Sequence, residues 1–473
     1  MPHYDLIVIG SGPAGAKGAE QAARLGKSVA LIERAPRLGG AGINTGTVPS
    51  KTLRETAQYL AGLRQRSFYG LNYHLQPDLT LGDLMFRKQM VLESEWGVIQ
   101  RNLDRHRIHI VRGAAHLHDG RTVHVNYHDG RNETLTAEAM LVATGSSAYH
   151  PPHIPFDHPR VFDSASLPDM GALPRHMIVI GGGVIGMEYA AMFAALGARV
   201  TLIEIQPRLL PVVDHELAER LRRSLEEQGM RFVLNEQVVG VDVKGETLYF
   251  KLQSGEAIAC DSALIAAGRR GYTAGFGLER AGVALDAHDF VKVNAHMQTN
   301  VPNIYAAGDV TGHHSFAPTS MEQGRAAVLH AFQAGDTVVK PIIPLAVYTI
   351  PEIAMIGLTE EQCKAQGHPY MVGRGYADQN PRGQIIGDTS GVLKLIFSPA
   401  DKALLGVHIL GENASELIHL GLHVMMTGGT LDVFTQMVYS YPSLSDLYTQ
   451  AAYNGLEHWE RWRQWQSQQI SSL

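Results

Sequence analysis

An α/β fold is predicted by three observations. A short apolar, β-branched run leads into a glycine-rich turn, a helical stretch and a second strand that ends in an acid. The same arrangement recurs downstream at the same spacing. The 473-residue chain is 45% hydrophobic and 18% charged, with 49 glycines, which suits a globular protein rich in tight turns. A chain of this length accommodates about three domains.

Composition narrows the function classes. The 40 Lys+Arg against 46 Asp+Glu leave a net charge of −6, so no basic surface argues for a nucleic-acid partner. Cys260 and Cys363 are the only cysteines. They lie far apart and outside any metal-ligand spacing, so no metal is expected and both read as buried or incidental thiols. No run reaches the ~18 apolar residues of a membrane span, and no leader-like segment precedes the strand at Tyr4. The expected location is cytoplasmic, with peripheral contact on the inner face of the membrane left open.

Taken in order, Tyr4–Ile9 has the pattern of a parallel strand buried on both faces. Gly10-Ser11-Gly12-Pro13-Ala14-Gly15 is the turn, a helix runs through Arg24, and Ser28–Ile32 is a strand ending in Glu33. Gly10, Gly12 and Gly15 let the backbone approach a pyrophosphate at a helix N-terminus, and Glu33 accepts ribose hydroxyls. A long helical region is expected from Thr52 to Arg105, and Asp129-Gly130 marks a hairpin turn. The Pro-rich stretch from Pro151 to Pro155 reads as a linker.

The second unit repeats the first. Met177–Ile180 is a strand, Gly181, Gly183 and Gly186 form the turn, a helix runs to Leu196, and Val200–Ile203 ends in Glu204. The acid follows the first glycine by 23 positions in both units. Two Rossmann-like dinucleotide-binding domains in one chain predict two dinucleotides, a flavin in one and a nicotinamide in the other. A carboxylate at Glu204 accepts hydrogen bonds from a free 2′-hydroxyl and repels a 2′-phosphate, which favours NADH. Arg208 swinging over to admit both nucleotides is the alternative.

The segment from Gly39 to Lys51 resembles the active-site segment of the flavoprotein disulfide reductases, which reads G-G-x-C-x-x-x-x-C-x-P-S-K. Gly39, Gly40, Asn44, Gly46 and Pro49-Ser50-Lys51 are kept, but Gly42 and Thr47 stand where the cysteines belong. A disulfide relay needs a thiolate, and neither residue supplies one. The resemblance extends from Asp5 to about Leu456 and implies FAD and NAD(H) as cofactors. It places Gly40, Ala143-Thr144-Gly145, Gly308, Asp309 and the helix start at Ala317 along the FAD. Gly268 closes the NAD domain, and Lys51 with Glu188 matches a buried ion pair beside the flavin. Lys51 as a surface residue capping the helix that starts near Ser50 is the plainer alternative.

The same resemblance implies a C-terminal α+β dimerisation domain and a homodimer with active sites shared across the interface. The family's His-Pro dipeptide is Tyr441-Pro442 here, and its glutamate is Asp446. Losing the base together with the cysteines is chemically consistent. The expected divisions are 1–150 and 276–345 for the FAD domain, 151–275 for the NAD domain, 346–456 for the interface domain and 457–473 for a tail. That tail holds Trp459, Trp462 and Trp465 among arginines, with Leu456, Trp459, Trp462, Ile470 and Leu473 on one helical face. It suits a membrane interface or packing against the dimer partner.

Among relatives the sequence is most similar to the soluble pyridine nucleotide transhydrogenases, which also carry threonine and tyrosine at the Thr47 and Tyr441 positions. They keep a cysteine at the Gly42 position and lack the acid at Glu204. The resemblance therefore implies an oxidoreductase passing hydride from NADH through flavin to a small-molecule, non-disulfide acceptor, a quinone-like compound being favoured. Lys51, Glu188, Thr47 and Tyr441 are the candidate catalytic residues, and Tyr441 either donates to the acceptor or packs as aromatic core. Transhydrogenation between NADH and NADP is the alternative, and a non-catalytic flavin-binding sensor is an alternative of another class.

Overall fold

The structure is a computed structural model describing residues 1–65, 80–312, 316–335, 338–339 and 342–471. The chain opens with β1 (His3–Ile9), α1 (Pro13–Arg24) and β2 (Val29–Glu33). Helices α2 (Gly40–Asn44), α3 (Thr47–Gln65), α4 (Leu81–Leu84) and α5 (Phe86–Arg105) follow. Next come β3 (His109–Leu117), β4 (Thr122–Tyr127), β5 (Asn132–Val142) and the short β6 (Ser146–Ala148). Strand β1 lies parallel between β2 and β5, with Leu6, Ile7, Val8 and Ile9 all buried. That is why the run is apolar without alternation. The single helical region expected from Thr52 is instead interrupted, and it starts earlier, at Thr47. Pro49 sits in the first turn of α3, where its missing N–H has no intrahelical partner to lose. Residues 66–79 of that expectation lie outside the described residues.

The second unit contains β7 (Val161–Phe162), β8 (His176–Ile180), α6 (Val184–Ala195), β9 (Arg199–Glu204), α7 (His215–Glu227) and β10 (Arg231–Leu234). A three-stranded antiparallel sheet, β11 (Val238–Lys244), β12 (Thr247–Leu252) and β13 (Ala257–Cys260), precedes β14 (Ser262–Ile265) and β15 (Arg269–Gly271). The parallel sheet runs β10-β9-β8-β14-β7. Helix α6 is buried continuously from Gly186 to Phe193. Apart from Glu188 it is apolar nearly all round, because it is enclosed between its own sheet and α3.

The chain then returns to the first unit. Strand β16 (Ile304–Ala306) adds in parallel to β5, and α8 (Ala317–Ala331) packs on α1. The contact is close enough that a Cβ at Gly324 would lie 2.2 Å from the Ala14 carbonyl oxygen.

The C-terminal unit is α+β. Its elements are β17 (Leu345–Val347), β18 (Glu352–Gly357), α9 (Glu360–Gln366), β19 (Met371–Tyr376), α10 (Pro381–Ile386), β20 (Val392–Phe397), β21 (Leu404–Gly411), α11 (Ala414–Met426), α12 (Asp432–Gln436) and α13 (Leu447–Ser471). The sheet is antiparallel in the order β17-β18-β21-β20-β19. The tryptophan-rich tail is the second half of α13, continuous with the domain. Trp459 packs on the domain's core, donates its indole N–H to the Pro399 carbonyl at 2.8 Å, and lies between Lys402 and Arg463. It is anchored within its own subunit, whereas Trp465 is exposed. Of the residues assigned to the apolar face, the Ile470 side chain and Leu473 lie outside the described residues. No helix among the described residues is long and apolar enough to cross a membrane.

Two buried charge clusters join the units. Arg54 of α3 pairs with Glu352 of β18 at 2.7 Å. Lys394 of β20, 1% exposed, meets Asp214, Glu216 and Glu360 at 2.8, 3.2 and 2.6 Å, and Arg374 of β19 adds a second cation on Glu216. Burial raises these three carboxyls, but His408 and Lys394 beside Asp214, and Lys394 and Arg374 beside the glutamates, more than offset it and hold all three below their ordinary values, Glu216 at about 2.

Candidate active site

One cavity of about 910 Å³ runs between the units. Its wall is made by the first glycine turn, the segment after β2, the N-termini of α3, α6 and α8, and residues of the interface domain. Gly10, Gly12, Glu33, Gly40, Thr47, Lys51, Ala143, Thr144, Gly145, Glu188, Gly308, Asp309 and Ala317 all line it. Residues separated widely in sequence are thus brought to one site.

The donor set fits a dinucleotide with a flavin. Helix α1 starts at Gly12 without a side-chain cap, and α8 starts after Phe316 without one. Pro13 and Pro318 offer no N–H, but the amides of Ala14 and Gly15 in α1 and of Ala317 and Thr319 in α8 remain for an anion, and the helix dipoles favour it. Backbones at Gly12 and Gly40 approach so closely that a Cβ on Gly40 would lie 2.8 Å from the Gly12 Cα. The Glu33 carboxylate is held in place by the Ser11 N–H at 2.9 Å, the Ser11 hydroxyl at 2.6 Å and the Ala35 N–H at 2.8 Å. Asp309 accepts from the Ser146 hydroxyl at 3.0 Å, and Arg269 donates to that hydroxyl at 2.7 Å.

Gly15 and Gly186 play a different part from the pyrophosphate contact expected of them. Neither lines the cavity. A Cβ at either would sit 1.9 Å from the carbonyl oxygen of Gly10 or Gly181 respectively. They seat each helix on its own turn, which is the packing role of the third glycine.

The second dinucleotide's turn lies outside this cavity and reaches it only through Val184, Ile185, Glu188 and Tyr189. There Glu204 accepts the Gly182 N–H at 2.5 Å and the Gln206 N–H at 2.7 Å, fixing its carboxylate beside Gly181 and Gly183. Arg208 donates to the Val213 carbonyl at 2.6 Å. Gly268 stands in the turn before β15, and its carbonyl accepts the Tyr149 N–H.

Lys51 and Glu188 meet at 2.6 Å, with side chains 26% and 6% exposed. The pair is therefore internal, and Lys51 is not a surface cap. The other carboxylate oxygen of Glu188 accepts the Tyr348 N–H at 2.9 Å, and the Lys51 ammonium lies 4.7 Å from the centre of the Tyr348 ring. Burial, then the Glu352 charge, hold the Tyr348 phenol above its ordinary value.

Gly42 also faces the cavity, and Thr47 is exposed at its edge. Neither sulfur is within this wall: Cys260 in β13 and Cys363 in α9 are free and buried, and burial pushes the Cys260 thiol up to about 12. Tyr441 does not line the cavity of its own chain and is 78% exposed, next to Val438 at 99% and near Met437.

Sequence reasoning left several contributors without a role. Tyr348, Ser146, Arg269, Gln323 on the Gly308 amide, and the Trp96 N–H on Asn44 all support the site. Arg269 and Ser146 each directly follow a motif, at Gly268 and at Ala143-Thr144-Gly145. The others touch the site through contacts between distant segments.

The family described as pyridine nucleotide-disulphide oxidoreductase matches residues 4–328, and its dimerisation domain matches residues 343–452. A protein of Mycobacterium bovis named soluble pyridine nucleotide transhydrogenase is 41% identical over 96% of this chain and 97% of its own. One of Salmonella paratyphi C with the same name is 37% identical over 96% and 99%. The structure of LpdA from Mycobacterium tuberculosis superposes with a TM-score of 0.88 at 28% identity, covering 96% of this chain and 99% of that one. The HOCl-induced flavoprotein disulfide reductase RclA from Escherichia coli superposes at 0.85 and 29%, covering 95% and 99%. Cavity, glycine turns and matches agree: the chain is a flavin-dependent pyridine nucleotide oxidoreductase using FAD and NAD(H), and it belongs to the pyridine nucleotide-disulphide oxidoreductase family.

Proposed function

We propose that the protein transfers reducing equivalents between pyridine nucleotides, as a soluble transhydrogenase, taking them from NADH and giving them to NADP. The carrying observation is that Gly42 and Thr47 occupy the cavity wall where the family places its thiols, while both sulfurs are buried elsewhere. Electrons that enter from a nicotinamide have no thiol exit, so entry and exit both use open faces of one cavity. The names of the 41% and 37% identical relatives support the same reading.

Bound FAD supplies two-electron hydride chemistry at its isoalloxazine ring. Glu33 takes ribose hydroxyls, the open amides of α1 take phosphate charge, and Asp309 takes the sugar-alcohol chain. Lys51 keeps a positive charge in the wall, opposing the negative charge that reduction adds, and Glu188 keeps Lys51 in place. Exchange between two nicotinamides needs no protein acid or base, in keeping with tyrosine at position 441.

A second reading, NADH oxidation by a quinone-like acceptor, is favoured by Glu204. Its anchored carboxylate suits a free 2′-hydroxyl, and Arg208 is held on Val213. Anaerobic stopped-flow reduction by NADH and by NADPH, followed by mixing with NADP or a quinone, separates the two. Reduction by both nucleotides with reoxidation by NADP supports transhydrogenation. Reduction by NADH alone with reoxidation only by quinone overturns it in favour of the second reading.

A further inference from the structure

Three domains converge on one ion pair. Lys51 comes from α3 of the FAD-binding unit and Glu188 from α6 of the nucleotide unit. The only interface-domain residue bonded to either of them, among the described residues, is Tyr348, just after β17. Each partner is engaged by a different part of this tyrosine. The main-chain N–H donates to Glu188 at 2.9 Å, leaving the other carboxylate oxygen for Lys51 at 2.6 Å. The ring face stands 4.7 Å from the Lys51 ammonium. The phenol lies beside Ser415 at the start of α11, which offsets part of the effect of burial on it.

A lysine on a flexible four-carbon stem does not hold one position by a single contact. Here the ammonium has Glu188 on one side and an aromatic face on another, with, among the described residues, only a long 3.5 Å contact to the Ser50 hydroxyl besides. The ring therefore restricts where the charge sits along the cavity wall. Because the pair is largely withdrawn from solvent, with side chains 26% and 6% exposed, a small displacement of that charge changes the field in the cavity.

We propose that Tyr348 is a positioning residue that sets the Lys51 charge against the flavin, and that the interface domain tunes flavin reduction through it. The inference rests on NADH as donor and is independent of the acceptor. It concerns the reductive half-reaction alone.

The test compares Tyr348→Leu with Tyr348→Phe in the full-length, FAD-loaded protein. Both keep the main-chain N–H and both lose the phenol; only leucine loses the ring. The readouts are the rate constant for anaerobic flavin reduction by NADH and the midpoint potential of the bound flavin, titrated against a reference dye without nucleotide. The Leu variant should be reduced at least about fivefold more slowly than the Phe variant, with a lower midpoint potential. In a Lys51→Met background the difference between Leu and Phe should fall below about twofold in rate and vanish in potential, since coupled residues are not additive.

Equal rates and potentials for Leu and Phe overturn the proposal. So does a Leu–Phe difference that persists without Lys51, which would mark ordinary packing. The midpoint potential is read without any acceptor, so a wrong assignment of NADP or quinone leaves the outcome interpretable.

Discussion

Replacing Glu204 by glutamine should shift nucleotide preference from NADH toward NADPH by on the order of 100-fold. The carboxylate is held by the Gly182 and Gln206 amides, at 2.5 and 2.7 Å, and glutamine can keep one acceptor for them. Two effects then add. A ribose hydroxyl bonded to a charged acceptor contributes roughly 1.5–3 kcal/mol, against about 1 for a neutral one, so NADH loses about 1 kcal/mol. A unit charge about 5 Å from a 2′-phosphate experiences ~1 kcal/mol of repulsion in water and ~3 at an effective dielectric of 20. Glu204 is half-buried, so about 2 kcal/mol of repulsion is removed. The sum is about 3 kcal/mol in preference, or roughly two orders of magnitude. The assay is the ratio of second-order rate constants for anaerobic flavin reduction by NADPH and NADH in the two proteins. A change below about threefold would refute the placement of the ribose at Glu204. Removing Arg208 from Val213 as well, by Arg208→Ala, should not raise NADPH use if the arginine is structural.

Lys394→Met should destabilise the protein by about 3–5 kcal/mol at neutral pH, because it leaves Asp214, Glu216 and Glu360 without their shared cation; urea unfolding measures it. These folded-state carboxyls titrate below their unfolded values. Their contribution is complete above about pH 4.5 and is lost as pH falls toward about 2, so the gap between variant and parent should narrow in acid. Gly40→Ala should lower FAD affinity by at least tenfold, seen as loss of yellow colour on gel filtration, since its Cβ would press on Gly12 at 2.8 Å and the residue has φ +58°. Neither Cys260 nor Cys363 should react with a thiol reagent in native protein, and both should react after unfolding. Cys260 is buried with its thiol pushed up to about 12, and Cys363 is 0% exposed.

Much of the site was legible because its parts are local. A strand, a glycine turn, a helix and an acid lie within a few dozen residues, and their geometry follows from backbone sterics and helix N-termini. That holds for Gly10, Gly12 and Glu33 and for Gly181 and Glu204. Gly15 and Gly186, expected to face the pyrophosphate, instead have the helix-packing role that the motif gives its third glycine. Contacts such as Tyr348 to Glu188, Arg54 to Glu352 and Lys394 to Asp214 join segments more than a hundred residues apart. No periodicity reports them. The tail shows the opposite problem: its composition suited a membrane surface equally well, and only the Pro399 and Lys402 partners show where Trp459 is anchored.

The first sheet is closed by β16 and its neighbour helix by α8, both of which follow the entire second unit in the chain. On the ribosome, β1 to β5 therefore emerge with one edge of β5 unpaired and α1 uncovered. At about 5–20 residues per second, synthesis of residues 143–303 keeps them so for on the order of ten to thirty seconds. The contiguous nucleotide unit can complete its own parallel sheet in that interval. The flavin cradle, needing both stretches, is assembled late in translation. A nascent chain stalled after β14 should resist protease across the second unit while the first remains open, and FAD should protect the first only once α8 has emerged.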